Sequence, residues 1–208
     1  MPVDVTAFLL FAGAAFTICI TPGPDMLYVF AHGLHQGARA GVVSAFGMAA
    51  GMIVHTALAA LGLAALFESF PVAYGAVRFA GAAYLIYIGI RTLREPPFTA
   101  AVGEREWASM RAVFSRAVVT NLLNPKIVLF YVAFLPQFID PEAGSAVAQF
   151  LLLGFTFVVL GLVVDSVIGV LSGTLHMRLI HNATLSRVLN VFSGVILCAL
   201  GLRLVVWG

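Results

Sequence analysis

Asp25 and Lys126 each stand one residue after a proline, inside stretches otherwise apolar enough to enter a lipid bilayer. The first stretch reads Ile20-Thr21-Pro22-Gly23-Pro24-Asp25-Met26-Leu27-Tyr28. The second reads Asn121-Leu122-Leu123-Asn124-Pro125-Lys126-Ile127-Val128-Leu129-Phe130-Tyr131. A carboxylate at the centre of a membrane helix costs about 2.5–3.5 kcal/mol, so it is rarely kept without a use. Asp25 falls at the expected N-terminus of a half-helix, where free N–H groups favour negative charge and can also cradle a ligand carboxylate. Its plainer role is to cap the restarted helix near the cytoplasmic interface. Lys126 either pairs with Asp25 across a central cavity, which lowers the cost of burying both, or snorkels or binds carbonyls at the break. Asn121 and Asn124 either satisfy freed backbone locally or contact a ligand.

Two further groups can change charge. Asp165 is a second acid in an apolar run, with Ser166 and Ser172 as its near polar neighbours in sequence. His55, beside Thr56, is its rough counterpart in the first half. Either can carry protons if its environment shifts its ionisation, although a lone histidine is more often a satisfied interior residue. Arg78 snorkels or neutralises an acid. Cys19 and Cys198 lie far apart, outside any CxxC pair, and read as small buried hydrophobes.

The elements that position these residues follow from composition. Of 208 residues, 62% are hydrophobic and 10% charged, and the mean hydropathy is +1.05. A soluble domain carries about 25% charged residues, so the chain is an integral membrane protein. No basic patch interleaved with aromatics points to nucleic acid. No Lys or Arg precedes the first apolar run, so it reads as a retained span and not as a secretory signal. Runs of about 20 apolar residues predict six spans near 6–30, 40–66, 72–92, 113–135, 146–173 and 186–206. Proline lacks a backbone donor and clashes with the preceding turn, so spans one and four must kink or unwind. Lipid tolerates freed backbone only where protein or a water-filled cavity satisfies it.

Arginines orient the spans. Arg39 lies in the 1–2 loop, Arg91, Arg94, Arg105, Arg111 and Arg116 around the 3–4 loop, and Arg178 and Arg187 near the 5–6 loop. Glu68, Asp140 and Glu142 lie on the other side, which holds only Arg203 near its edge. Both termini are therefore expected outside. Residues 93–112 form a cytoplasmic linker marked by Pro96 and Pro97, and Trp107 and Trp207 are expected at the interfaces. Phe79-Ala80-Gly81 leading to Gly89-Ile90-Arg91 is echoed by Phe192-Ser193-Gly194 leading to Gly201-Leu202-Arg203. With three spans per half the second repeat enters inverted, so residues 1–92 and 113–208 form two inverted three-helix repeats of one transport domain. The fold class is thus an all-α polytopic membrane protein with six transmembrane helices, broken in helices 1 and 4. Breaks at matching positions in two halves point to a transporter's binding site. Gly33/Gly37/Gly41, Gly47/Gly51 and Gly169/Gly173 have the small-xxx-small spacing of close helix packing, although Gly33/Gly37 fall where a loop is expected.

The Thr21-Pro22-Gly23-Pro24-Asp25-Met26 motif, with Gly41 and Gly47/Gly51 after it, resembles the lysine exporter / homoserine-threonine resistance (LysE/RhtB) family of bacterial amino-acid exporters. So does Asn121-Leu122-Leu123-Asn124-Pro125-Lys126 with Phe134-Leu135-Pro136-Gln137-Phe138. The resemblance spans essentially the whole chain. It implies a multi-pass inner-membrane exporter of amino acids or close derivatives, driven by protons, with functional positions Pro22, Gly23, Pro24, Asp25, Asn124, Pro125 and Lys126. The match lies closer to the homoserine/threonine type, which implies neutral substrates. A zwitterion suits these residues: a half-helix N-terminus with Lys126 for the carboxylate, and Asp25 or Asp165 for the ammonium. The partners implied are an amino acid, protons and the bilayer, without cofactor or nucleic acid; a homo-oligomer is compatible with the sequence. A divalent metal-ion exporter using Asp25, His55 and Asp165 is the alternative, but no His-rich or acidic cluster supports it. A thiol electron carrier lacks a cysteine at the second break, and no nucleophile–base constellation marks a hydrolase.

Overall fold

The computed structural model describes residues 3–63 and 108–174, with isolated helical positions between 79 and 94 and between 187 and 202. The third and sixth spans fall largely outside the described residues. So do most of the linker, Arg78, Trp107, Trp207 and most of the Phe79-Ala80-Gly81 repeat and its echo.

The first span is two helices, α1 (Val5–Ile20) and α2 (Pro24–Gln36), bent by 53° at Thr21-Pro22-Gly23. Asp4 caps α1, accepting from the backbone N–H groups of Thr6 at 2.9 Å and Ala7 at 3.1 Å. Those donors, Ala7's first, hold its carboxyl below the ordinary carboxylate range. Pro24 takes the first position of α2, where its missing N–H costs nothing. The expected first loop is shorter than its composition predicts. α2 runs on to Gln36, and the single residue Gly37, at φ 85°, turns the chain into α3 (Ala38–Leu58). Only glycine enters that backbone region freely, so one residue suffices where a loop is expected, and Gly33 is helical.

α3 continues as a π turn over Ala59–Leu63. α4 (Met110–Leu122) begins at a Ser109 cap and is bent by 48° from the segment that starts with α5 (Pro125–Leu129). That segment widens to a π turn over Phe130–Phe134 and tightens to a 3₁₀ turn over Leu135–Phe138. Pro136 has no N–H for the preceding turn, and the Gln137 side-chain amide donates to the Ala133 carbonyl at 2.6 Å. α6 (Ala146–Thr174) has 29 residues, about 43 Å at 1.5 Å per residue, more than a hydrocarbon core of about 30 Å requires. Among the described residues no strand occurs, and two helices and two bent pairs are apolar enough to cross a membrane. The protein is an all-α polytopic membrane protein.

α3 is the hub, packed against α2, α4 and α6. Contacts without side chains between them bring it close: a Cβ on Gly41 would lie 2.5 Å from the Gly169 Cα of α6. On the opposite neighbour, Gly47 and Gly51 receive Ala117 and Asn121 of α4, a matched four-residue period on both helices. A Cβ on Gly51 would meet Asn121 Cβ at 2.8 Å, an atom fixed to the α4 backbone. Gly51→Ala is therefore expected to cost about 1–3 kcal/mol by overpacking. It should lower the unfolding temperature in detergent; a wild-type melt would show that α4 moves freely.

Candidate functional site

The two breaks satisfy each other. α1 ends at Ile20, and the chain crosses to α2 with Thr21 buried at 1% exposure. Lys126, the second residue of α5, reaches over from the other break. Its Nζ donates to the carbonyls of Thr21 at 2.9 Å and Ile18 at 3.2 Å. These are carbonyls at the negative end of α1, where a cation is stabilised. Gly23 makes the reach possible: a Cβ there would stand 3.0 Å from the Lys126 Nζ. Of the sequence-based readings of Lys126, partner of Asp25, snorkelling cation or ligand of carbonyls, the hydrogen bonds in this structure are those of the last, with the carbonyls supplied by the other break.

The reverse tie runs from span four to Asp25. Asp25 is the second residue of α2, 6% exposed, and its Oδ2 accepts from Asn121 Nδ2 at 2.9 Å. Among the described residues its Oδ1 is buried and accepts no hydrogen bond, with the Asn124 side chain beside the same carboxyl. Asn121 is wholly buried in the last turn of α4, its own Oδ1 unpartnered. Asn124 caps α5, accepting from the Lys126 N–H at 3.0 Å, while its buried side-chain amide lies beside the Asp25 carboxyl with no hydrogen bond from Nδ2 among the described residues. Pro125 takes the first position of α5, and Pro22 and Gly23 form the linker between α1 and α2. Tyr28 adds a third tie, donating from Oη to the Val113 carbonyl of α4 at 2.9 Å. Unpaired buried polar atoms are costly, and a cluster of them at two facing breaks leaves donors and acceptors available to a guest.

Asp25, Lys126 and Asp165 line one cavity of about 20 Å³ between α1, α2, α3, α5 and α6. Asp165, 7% exposed, comes from the buried face of α6, on which Phe157 and Gly161 precede it at four-residue steps. The remaining lining is Ile18 and Cys19 of α1, Met26, Met52 and Ile127. Sequence reasoning marked the charges and missed this apolar half. The four-residue step from Phe157 through Gly161 to Asp165 is a signal for the α6 part of it alone.

His55 lies in the last turn of α3 and outside the cavity lining. Its ring stacks on Tyr131 of the second π turn at 5.4 Å and lies beside the Asn121 backbone, with Nε2 buried and making no hydrogen bond among the described residues. Tyr131, also missed from sequence, donates from Oη to the Met52 carbonyl at 3.0 Å and lies 2.8 Å from Thr56 Oγ1. Thr56 donates to the same carbonyl at 2.9 Å. The second break is thus anchored to α3 through a single turn of backbone. Among the described residues no three His, Cys, Asp or Glu side chains gather as a metal site. Asp25, His55 and Asp165, the set a metal exporter would need, do not form one group.

A family model described as LysE type translocator matches residues 16–208. A leucine efflux protein of Enterobacter sp. (strain 638) is 37% identical over 155 residues, covering 73% of this chain and 72% of that protein. A leucine efflux protein of Salmonella choleraesuis (strain SC-B67) is 36% identical over 145 residues, covering 69% and 68%. An uncharacterized membrane protein of Vibrio cholerae serotype O1 is 34% identical over 162 residues, covering 77% and 78%. No solved structure matches the chain. With a bilayer-compatible fold, two interlocked breaks and a family match over all but the first fifteen residues, the chain belongs to the LysE type translocators and is a transporter, not an enzyme.

Proposed function

We propose that the protein exports neutral amino acids from the cytoplasm by proton-coupled alternating access. The observation that carries this reading is the cavity itself, which two acids and one lysine line together with apolar residues. An amino acid presents one carboxylate, one ammonium and a side chain. Lys126 receives the carboxylate, Asp25 the ammonium through its unpartnered Oδ1, and the apolar wall the side chain. The two leucine efflux relatives support an aliphatic side chain. A hydroxyl-bearing side chain of the homoserine/threonine type finds less support. None of the described residues lining the cavity carries a hydroxyl.

A cavity of about 20 Å³ holds roughly one water, so an amino acid enters only when the breaks part. In this reading Lys126 exchanges the Ile18 and Thr21 carbonyls for the substrate carboxylate, which couples binding to a change at the hinge of span one. Asp165 takes up the driving proton. The two halves, residues 1–92 and 113–208, rock about the site as inverted repeats of one domain joined by the cytoplasmic linker 93–112. The arginine distribution supports placement in the bacterial inner membrane with both termini outside.

The test is efflux from proteoliposomes loaded with a panel of labelled amino acids, with and without an imposed proton gradient. Efflux of neutral aliphatic amino acids should rise with the gradient. Asp165→Asn protein should still exchange substrate for substrate but lose that stimulation. No efflux of any amino acid from folded wild-type protein would sink the reading.

A further inference from the structure

We infer that Gly161 sets the size of side chain the transporter accepts, acting through the thioether end of Met52. This inference rests on the amino-acid reading of the cavity. Asp25, Lys126 and Asp165 mark its polar side, and Phe157, Gly161 and Met52 lie among its apolar residues. The unpartnered Oδ1 of the buried Asp25 points to a guest on the polar side, which directs the guest's side chain to the apolar one.

Gly161 is buried on the inward face of α6, one turn from Asp165 and one turn from Phe157. Its missing Cβ is space that Met52 partly occupies. A Cβ there would stand 2.6 Å from the Met52 Cε and 3.1 Å from its Sδ, with Cys19 Sγ at 3.8 Å. The two close contacts are to the far end of an unbranched side chain, which moves at little cost. Met52 is 2% exposed in a packed interior, and the free space beside it is the cavity. One methyl on α6 therefore pushes the thioether into the space a substrate side chain would take. The backbone of α3 need not shift.

This differs from Gly41 and Gly169, where a Cβ meets backbone and the helices themselves would have to separate. It also separates a size effect from a charge effect, because Gly161 and Met52 carry no charge and neither is bonded to Asp25 or Lys126. A single methylene in an apolar pocket shifts substrate preference by about 10–200-fold, so the readout is a ratio between substrates and not an absolute rate.

The experiment measures initial efflux of alanine, leucine and phenylalanine from proteoliposomes containing wild-type, Gly161→Ala or Met52→Ala protein. Gly161→Ala should lower the leucine-to-alanine ratio by about tenfold, at the small end of the methylene effect. Met52→Ala should raise the phenylalanine-to-leucine ratio. Ratios equal to wild type in both variants, in protein that elutes as wild type, would overturn the inference. If Gly161→Ala elutes as aggregate, Met52→Ala decides alone. Wild-type protein that moves none of the three amino acids would instead overturn the export reading on which the inference stands.

Discussion

Asp25→Asn should reduce substrate affinity and efflux by about 100-fold while leaving the fold intact. The substitution is nearly isosteric and keeps an oxygen to accept from Asn121 Nδ2, now 2.9 Å from Asp25 Oδ2. What it removes is negative charge at the unpartnered Oδ1. A charge-assisted bond to a substrate ammonium contributes up to about 3 kcal/mol, and each 1.4 kcal/mol is tenfold in affinity. Binding measured by calorimetry in detergent and efflux from proteoliposomes should fall together, with the melting temperature unchanged. Wild-type affinity in the Asn variant would assign Asp25 to holding Asn121 and nothing more.

The second large effect belongs to Lys126→Met, a substitution that keeps chain length and loses the ammonium. The Ile18 carbonyl also accepts from the Thr21 N–H at 3.2 Å, whereas among the described residues Lys126 alone donates to the Thr21 carbonyl. The variant thus leaves a buried carbonyl unsatisfied, which costs about 1–3 kcal/mol. It should melt at lower temperature and lose efflux. The geometry also predicts the result of a charge exchange. Asp25 is held by Asn121, and Lys126 by carbonyls. An aspartate at 126 has no proton to give a carbonyl, so Asp25→Lys with Lys126→Asp should be no better than either single variant. Rescue by the double exchange would mean the two side chains pair directly in the working protein.

The breaks were legible because proline and charge are conspicuous in an apolar run, and the run lengths located the four spans that the described residues contain. The partners were less legible. Lys126 sits one residue after its proline as Asp25 does, and this symmetry suggests a salt bridge. Nothing in the residue order reveals that a flexible four-carbon stem reaches past the acid to a carbonyl. Tyr131 and Thr56 were invisible for a different reason. Their hydroxyls meet at the Met52 carbonyl only because the helix after Pro125 widens to a π turn, a local geometry that composition does not encode. The apolar half of the cavity was hidden among aliphatic residues that could equally face lipid. Gly161 became distinctive once α6 was seen to stand against Met52.

The interlock of the two breaks also bears on how the chain is made. The Thr21 carbonyl meets a donor 105 residues further along, and Asp25 one 96 residues further along. The ribosome therefore delivers the first break to the membrane long before Asn121 and Lys126 exist. During that interval a carboxylate and an open carbonyl must be held by water, lipid headgroups or the insertion machinery. A nascent chain stalled before residue 121 carries a charge in an apolar segment without the partner that later holds it. Supplying the second half as a separate polypeptide should restore that partner.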